Sequence, residues 1–515
     1  MPIQPAERGD TILEARGITK RFPGVVANEH IDFDIRAGEV HAILGENGAG
    51  KTTLMKILFG LLQPDGGEIY VQGEKVAFRS PLDAIHLGIG MVHQDRKLIP
   101  AHTVLENIIL GHPGAGSIPD MKKTRDEIAE LCDRYGFKID MKAKVWQLSE
   151  GEKQAVEILK TLYRGARILI LDEPTSALSP PETEKLLESI RFMTGDSLAL
   201  VPFITHKLPI VLNISDRVTV LRRGKVTARL RTADATENSL AKEMVGREVV
   251  FRLEHVEVEK GRPVLEVENL SAMNDKDQLA LKGVSLTVHE GEILGIAGVS
   301  GNGQEVLAEV LAGLRKAESG RVSIDGVDIT RASSLDRWMK GMGYVPSDRV
   351  NVGSIGSQSL VENVLMNYYF DDRFAGWGIV DSQKTRDLTK SLISEYDIAT
   401  PGPDVTAKSL SGGNLQKLIL ARVLSRKPRL IIANLPTQGL DVGATEFVQN
   451  KLLEAKLQHA AILLISEDLD EVLSLSDRVA PIYEGEFMGV VTAKNARTED
   501  IGAMMAGLKQ KAGQP

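Results

Sequence analysis

An α/β fold of two tandem domains, nearly equal in size and each wrapped around a phosphate-binding loop (P-loop), is what this sequence predicts, and three observations carry it. The string GENGAGKT runs from Gly45 to Thr52. A failed version, GVSGNGQE, runs from Gly298 to Glu305 in the register of a second copy. A hydrophobic stretch, Ile168 to Leu171, ends in the carboxylate pair Asp172 and Glu173, as a buried parallel strand does at the sheet edge where ligands of α/β proteins bind.

The first loop has the parts that a nucleoside triphosphate requires. Gly45, Gly48 and Gly50 permit a tight turn whose backbone N–H groups surround the β-phosphate, Lys51 reaches the β- and γ-phosphates, and Thr52 offers a hydroxyl to Mg²⁺. The nucleotide-binding segment is therefore Gly45, Glu46, Asn47, Gly48, Ala49, Gly50, Lys51, Thr52 and Thr53. Val40 to Leu44 reads as a short buried strand before it, and Thr53 to Gly60 opens a helix with Leu54, Ile57 and Leu58 on its apolar side. At the acidic strand, Asp172 is placed to hold Mg²⁺ through water and Glu173 to polarise the attacking water.

Length and composition bound the alternatives. A chain of 515 residues exceeds one ordinary hydrophobic core. A net charge of −8 and a pI near 5.8 argue against nucleic-acid binding through a basic surface. Cys132 is the sole cysteine, which excludes an internal disulfide or a cysteine metal cluster and fits a reducing cytosol; it reads as a small apolar helix residue. The sequence shows no signal peptide and no apolar run of membrane-spanning length. Any membrane role is expected to pass through a partner.

The internal repeat organises the rest. Gly38 and Glu39 recur as Gly291 and Glu292, and Gly45 as Gly298, at an offset of 253 residues. Leu148 and Ser149 recur as Leu410 and Ser411, where the offset has grown to 262, so the second copy carries a small insertion. The expected organisation is a first domain over 1–248, a charged linker over 249–263 and a second domain over 264–515.

LSGGN at Leu410 to Asn414, with its altered copy LSEGE at Leu148 to Glu152, resembles the signature of the ATP-binding cassette proteins, and the resemblance covers nearly the whole chain. It implies that each half has a RecA-like core, a β-subdomain and a helical signature subdomain. By the same resemblance Phe22 stacks on adenine, Gln94 lies in a loop that links Mg²⁺ to a membrane partner, and His206 contacts the γ-phosphate. Metal ligands would be Thr52, Gln94 and Asp172; Glu173, Gln94 and His206 would be catalytic. Cassettes of this kind pair head to tail, so Ser411, Gly412 and Gly413 would complete the ATP site of the Gly45 loop.

Against that pattern the second half loses its chemistry. Gln304 and Glu305 replace the Lys and Thr, and Asn434 and Leu435 align with Asp172 and Glu173. Ser347 stands where Gln94 does, Glu467 where His206 does, and no aromatic lies between Leu270 and Ala280 to match Phe22. The broken loop would also face the altered signature, where Glu150 replaces a Gly. One hydrolytic and one degenerate ATP site per chain are expected.

Twin fused cassettes with a degenerate second loop resemble the ATPases of bacterial simple-sugar and nucleoside importers, and the stretches Val156 to Thr175 and Ala433 to Ala444 are closer to the nucleoside-type branch. The resemblance implies ATP and Mg²⁺ as cofactors, two transmembrane permease subunits as partners, an extracytoplasmic solute-binding protein met only indirectly, no nucleic acid, and a peripheral place on the cytoplasmic face of the inner membrane. Soluble twin-cassette ATPases acting on ribosomes or DNA are the alternative; they usually keep both sites working and carry long linkers or large inserts. A metabolic P-loop kinase fails on the signatures and the repeat.

Overall fold

The computed structural model describes residues 3–4, 6–93, 97–112, 120–175, 178, 180–195, 199–203, 208–248, 258–376 and 379–508. The chain folds as two units, Met1–Val249 and Val250–Pro515. Among the described residues no helix is long and apolar enough to cross a membrane.

The first unit opens with an antiparallel pair, β1 (Thr11–Phe22) and β2 (Val25–Arg36). The chain then enters β3 (His41–Leu44) and α1 (Lys51–Leu58) before β4 (Gly66–Val71) and β5 (Glu74–Val76) return to complete a small sheet in the order β2-β1-β4-β5. After α2 (Pro81–His86) and β6 (Ile89–Val92) come three helices, α3 (Val104–Ile109), α4 (Met121–Tyr135) and α5 (Glu150–Tyr163). Val104, Ile108, Ile128, Val156 and Leu159 bury against one another to make this helical layer a core of its own. Its longest helix has clear punctuation: Asp120 caps the Lys122 and Lys123 amides, and Gly136 ends it at φ 74.

The remaining elements of this unit build the large sheet: β7 (Ile168–Asp172), α6 (Pro180–Gly195), β8 (Ala199–Phe203), α7 (Leu208–Ile214), β9 (Arg217–Arg222), β10 (Lys225–Arg231) and α8 (Glu237–Val245). The strand order is β10-β9-β3-β8-β7-β6, parallel except for the β10 edge. Strands β3, β6 and β7 are buried at every position, as unbroken apolar runs must be when both faces of a parallel sheet are covered. This ordering positions the site. Ile43 of β3 and Asp172 of β7 both pair with Phe203 of β8, so the phosphate loop and the carboxylate pair leave the same sheet edge, two strand spacings or about 10 Å apart.

The second unit repeats the plan. β11 (Pro263–Met273) and β12 (Leu279–His289) precede β13 (Ile293–Ala297), α9 (Gln304–Ala312), β14 (Ser319–Ile324) and β15 (Val327–Asp328), and the small sheet has the order β12-β11-β14-β15. α10 (Ser334–Met339), β16 (Met342–Val345) and α11 (Leu360–Leu365) follow. A hairpin, β17 (Ala375–Gly376) and β18 (Ile379–Val380), lies before α12 (Ser382–Glu395), within the stretch where the offset of the repeat grows. Then come α13 (Gly412–Leu424), β19 (Leu430–Asn434), α14 (Val442–Leu457), β20 (Ala461–Ser466) and α15 (Leu469–Leu475). β21 (Arg478–Tyr483), β22 (Glu486–Phe487), β23 (Val491–Thr492) and α16 (Thr498–Met505) close the chain, and the large sheet runs β16-β19-β20-β13-β21-β22.

The last residues of the expected 249–263 linker make contacts within the second unit. Lys260 pairs with the fully buried Glu292 at 2.7 Å, the Gly261 amide donates to Glu290 O at 3.0 Å, and Pro263 is already the first residue of β11. Residues from 258 onward are thus fastened to the second unit. Positions 249–257 lie outside the described residues.

Candidate functional site

The strand before the phosphate loop is shorter by one residue than expected, starting at His41, and the helix after it begins at Lys51 rather than Thr53. Gly50 is the left-handed N-cap at φ 100. A Cβ there would lie 2.1 Å from Ala27 O, and a Cβ at Gly45 would lie 2.3 Å from Leu221 O, so both positions are closed to any side chain. Asn28 Nδ2 donates to Gly50 O at 3.0 Å and ties the β1–β2 hairpin to the loop. The Lys51 ammonium is buried inside the curve of the loop, donating to Gly45 O at 2.5 Å and Glu46 O at 2.7 Å. Thr52 and Thr53 are half-buried in the first turn of α1, and Asn47 and Gly48 are exposed at the tip.

Phe22 ends β1 with 42% of its surface exposed, and Lys20 Nζ lies 5.8 Å from its ring centroid. An exposed aromatic on the hairpin that braces the phosphate loop is suited to stack on a planar base.

Asp172 is 5% exposed, and burial pushes its carboxyl up to about 6 against the opposing pull of Lys56 and Lys51. Its Oδ1 is buried without a hydrogen-bond partner among the described residues. A buried carboxylate oxygen with no donor fits a hard cation, and the Thr52 hydroxyl is an oxygen ligand of the same class, so this donor set suits Mg²⁺, which binds few protein groups beside water and phosphate. Glu173 follows the strand in the left-handed region at φ 48, with its side chain half-buried. Burial first, and then the charge of Asp172, raise its carboxyl above the usual range while Lys51 lowers it. A carboxylate held at a raised pKa is the better proton acceptor. Gln94 and His206, and also Ser179 in the segment after the carboxylates, lie outside the described residues.

The same scaffold is present in the second unit without this chemistry. Gln304 is buried as Lys51 is, and its Nε2 donates to Val299 O at 2.9 Å, the register equivalent of the Lys51 bond to Glu46 O. The amide reproduces the hydrogen bond and omits the charge. Glu305 is exposed in the first turn of α9. Asn434 is buried at the end of β19, and Leu435 holds φ 47, matching Glu173 within a degree. Ser347 is half-buried and Glu467 exposed.

Each signature opens a helix of the layer beside the sheet. Ser411 is the exposed N-cap of α13, accepting from Asn414 Nδ2 at 2.9 Å, and no acidic residue stands in the first turn. Those bonds use Ser411 Oγ as an acceptor. Ser149 caps α5 in the same way, but Glu150 and Glu152 occupy its first turn, and Glu152 closes a capping box on the Ser149 amide at 2.8 Å. A bare helix N-terminus attracts an anion, and one already flanked by carboxylates does not.

Three features were not foreseen from the sequence. Glu182 of α6 accepts from the Gly151 amide at 3.1 Å, beneath the altered signature. Glu471 of α15 is 4% exposed and accepts from Thr437 Oγ1 at 2.7 Å and Ser466 Oγ at 2.6 Å, whereas Ile210 fills the register position in the first unit. His41, buried on β3, is a neutral ring held between Asp34 O and Thr219 Oγ1 at 2.8 Å each, and burial pushes it down to about 4. Only Glu182 sits where the signature geometry had drawn attention. Cys132 is buried on α4 with its thiol pushed up to about 11 by desolvation, which leaves it unreactive.

Comparison with known proteins extends these observations to the full chain. The family model described as ABC transporter matches residues 28–176 and again 281–438. A glucose import ATP-binding protein of Haloferax volcanii is 45% identical over 529 residues, covering 97% of this chain and 96% of that protein. A guanosine import ATP-binding protein of Bacillus subtilis is 43% identical over 501 residues, covering 97% of this chain and 98% of that protein. The solved structure of an RNase-L inhibitor aligns with a TM-score of 0.63 over 96% of this chain and 93% of its own, at 19% identity. At that identity the likeness concerns the fold alone, two α/β units in one chain.

Proposed function

The chain belongs to the ABC transporter family, and from that premise we propose that it energises uptake of a nucleoside and that one of its two nucleotide sites does all the chemistry. It is the ATP-hydrolysing subunit of an importer. The single observation that carries the asymmetry is the matched pair of scaffolds: Lys51, Asp172 and Glu173 in one, and Gln304, Asn434 and Leu435 in the other, on backbones that agree even in the left-handed residue.

In this reading ATP sits on the Gly45–Thr53 loop with its phosphates against the N-terminus of α1 and the Lys51 ammonium. Thr52, Asp172 and Gln94 would hold Mg²⁺, which would supply positive charge to the phosphates when bound. Head-to-tail pairing brings Ser411, Gly412 and Gly413 to the γ-phosphate, where Ser411 turns its hydroxyl proton toward a phosphate oxygen. Glu173 takes a proton from the attacking water as its oxygen bonds to the γ-phosphorus, and the bond to the bridging oxygen of ADP breaks. His206 contacts the same phosphate, and Phe22 stacks on adenine. Since a ligand shifts an equilibrium only through differential affinity for its two states, ATP drives closure because it touches both halves at once. Closure changes the access of two permease subunits, and the solute, delivered by an extracytoplasmic binding protein, never touches this chain. The protein works on the cytoplasmic face of the membrane.

The guanosine import relative and the Val156–Thr175 and Ala433–Ala444 stretches support a nucleoside. A hexose is the second reading, favoured by the 45% identical glucose import relative. Co-expression with candidate permease subunits, followed by uptake of labelled guanosine and labelled glucose into vesicles, separates the two. Guanosine uptake that disappears in Lys51→Ala is expected. Glucose uptake without guanosine uptake would replace the nucleoside by the hexose, and a chain that does not co-purify with a polytopic membrane protein would remove the transport reading altogether.

A further inference from the structure

The two signature helices share a register and differ in what lies beneath them. In the second unit, a Cβ built on Gly413 would meet the Ala444 methyl at 3.2 Å. In the first, a Cβ built on Gly151 would meet Glu182 Oε1 at 2.7 Å. Gly151 and Gly413, and likewise Glu182 and Ala444, are separated by the same 262 residues, so these are equivalent pairs in the repeat. The consequence for the backbone is direct. The Gly151 amide is spent on the Glu182 carboxylate at 3.1 Å, whereas among the described residues the Gly413 amide has no hydrogen-bond acceptor.

We propose that Glu182 is an internal substitute for phosphate that plugs the altered signature and closes the degenerate composite site to nucleotide from its signature side. The proposal rests on the head-to-tail reading for one point only, that a signature faces the nucleotide of the opposite loop. Charge-assisted acceptance of a first-turn amide is the interaction a phosphate oxygen would make there, and the dipole of α5 favours either anion equally. A nucleotide would have to displace Glu182 and then rest beside Glu150, which is held near by its bond to Lys153 at 2.7 Å, and beside Glu152 in the capping box. Across the proposed interface it would meet Gln304 in place of a lysine. Both sides of that site therefore reject a polyanion, and each chain holds one ATP.

Two experiments test the plug. In the full chain, hydrogen exchange of the peptide that contains Gly151 is expected to accelerate at least several-fold in Glu182→Ala and to stay at the parental rate in Glu182→Gln, which keeps the acceptor oxygen. Unchanged exchange in Glu182→Ala overturns the contact, whatever the arrangement of the two halves. In the assembled transporter, Ala444→Glu transplants the plug beneath the intact signature and is expected to lower ATP hydrolysis by about a hundredfold, the scale for losing one donor to the reacting phosphate. Ala444→Met, of similar volume and no charge, is expected to stay within about threefold. Parental hydrolysis in Ala444→Glu, or equal losses in Glu and Met, would overturn the proposal, the latter because volume and not charge would then be what the signature rejects. Ser411→Ala is the control on the pairing: if it hydrolyses like the parent, the head-to-tail reading has failed, and an accelerated exchange in Glu182→Ala would still stand.

Discussion

Replacing Glu173 by Gln isolates the proton acceptor from everything else in the site. The side chain keeps its shape, the left-handed backbone at φ 48 is equally strained for either residue, and the Lys51 loop that holds ATP is untouched. What disappears is a half-buried carboxylate raised above its usual pKa by desolvation and by Asp172. Losing a positioned general base typically costs 10² to 10⁴ in rate, about 3–5 kcal/mol of barrier at about 1.4 kcal/mol per tenfold. A second readout has a definite sign. A carboxyl whose folded pKa is raised contributes stability that is fully present below its unfolded value of 4.5 and is lost as pH rises through the folded value. Glu173 therefore destabilises the first unit at neutral pH, and Glu173→Gln should raise its thermal midpoint slightly while hydrolysis collapses. The assay is steady-state phosphate release by the assembled transporter at saturating ATP, alongside nucleotide-binding titration and thermal unfolding. Turnover within tenfold of the parent, with ATP still bound, would refute the assignment of Glu173 as the base.

Lys51→Ala should weaken ATP binding itself, whereas Gln304→Ala, which removes an amide bond to Val299 O and no charge, should change hydrolysis only a few-fold; equal losses in a paired binding and rate measurement would contradict the asymmetric reading. Ser411→Ala should cost roughly two to three orders of magnitude in ATPase rate, and Ser149→Ala, outside the proposed hydrolytic site, should stay within about tenfold; a loss confined to Ser149→Ala would mean that each half hydrolyses on its own signature or that two chains pair in another arrangement. Burial holds His41 neutral with its pKa pushed down to about 4, so the stability this ring contributes is fully present above pH 6.5 and is lost as pH falls toward 4, by up to about 3 kcal/mol. His41→Leu, the residue that Leu294 supplies in the repeat, should flatten that slope in denaturant titrations at pH 7 and 4.5, and a parent chain with no slope would show that the ring is not held neutral.

Much of the site was legible because its parts are local strings. Gly45 to Thr52 specifies a loop by where glycine is needed, and Gly45 and Gly50 sit where the backbone of Leu221 and Ala27 leaves no room for a Cβ. The unbroken apolar run before Asp172 announced a strand buried on both faces. What stayed hidden is tertiary. Glu182 stands in the charged stretch PPETEKLLE, where nothing marks one carboxylate as aimed at an amide 31 positions away. Glu471 was equally silent, because its two hydroxyl partners arrive from the ends of different strands. Lys260 and Arg262 are hidden for a related reason: they read as solvated charge in the sequence, and Glu292 and Glu290 stand beside them in the structure.

The degenerate half shows which features of a nucleotide site belong to the fold and which to the chemistry. Leu435 occupies the left-handed region at φ 47, a conformation that costs a non-glycine residue about 1–2 kcal/mol, although it has no carboxylate to present. Gln304 stays buried in the loop to make the bond to Val299 O that a lysine would make. A half freed of every constraint would be expected to relax both. Both features fit a loop and strand end held in shape by the sheet beneath them, on which the two halves differ in side chains rather than in backbone. In the second unit Ser411 stands at the start of α13, and the Gly413 amide has no acceptor among the described residues. Under the proposed head-to-tail pairing, the second half would lack ATP chemistry of its own and would still supply the groups that complete the site of the first, provided that its signature remains unplugged.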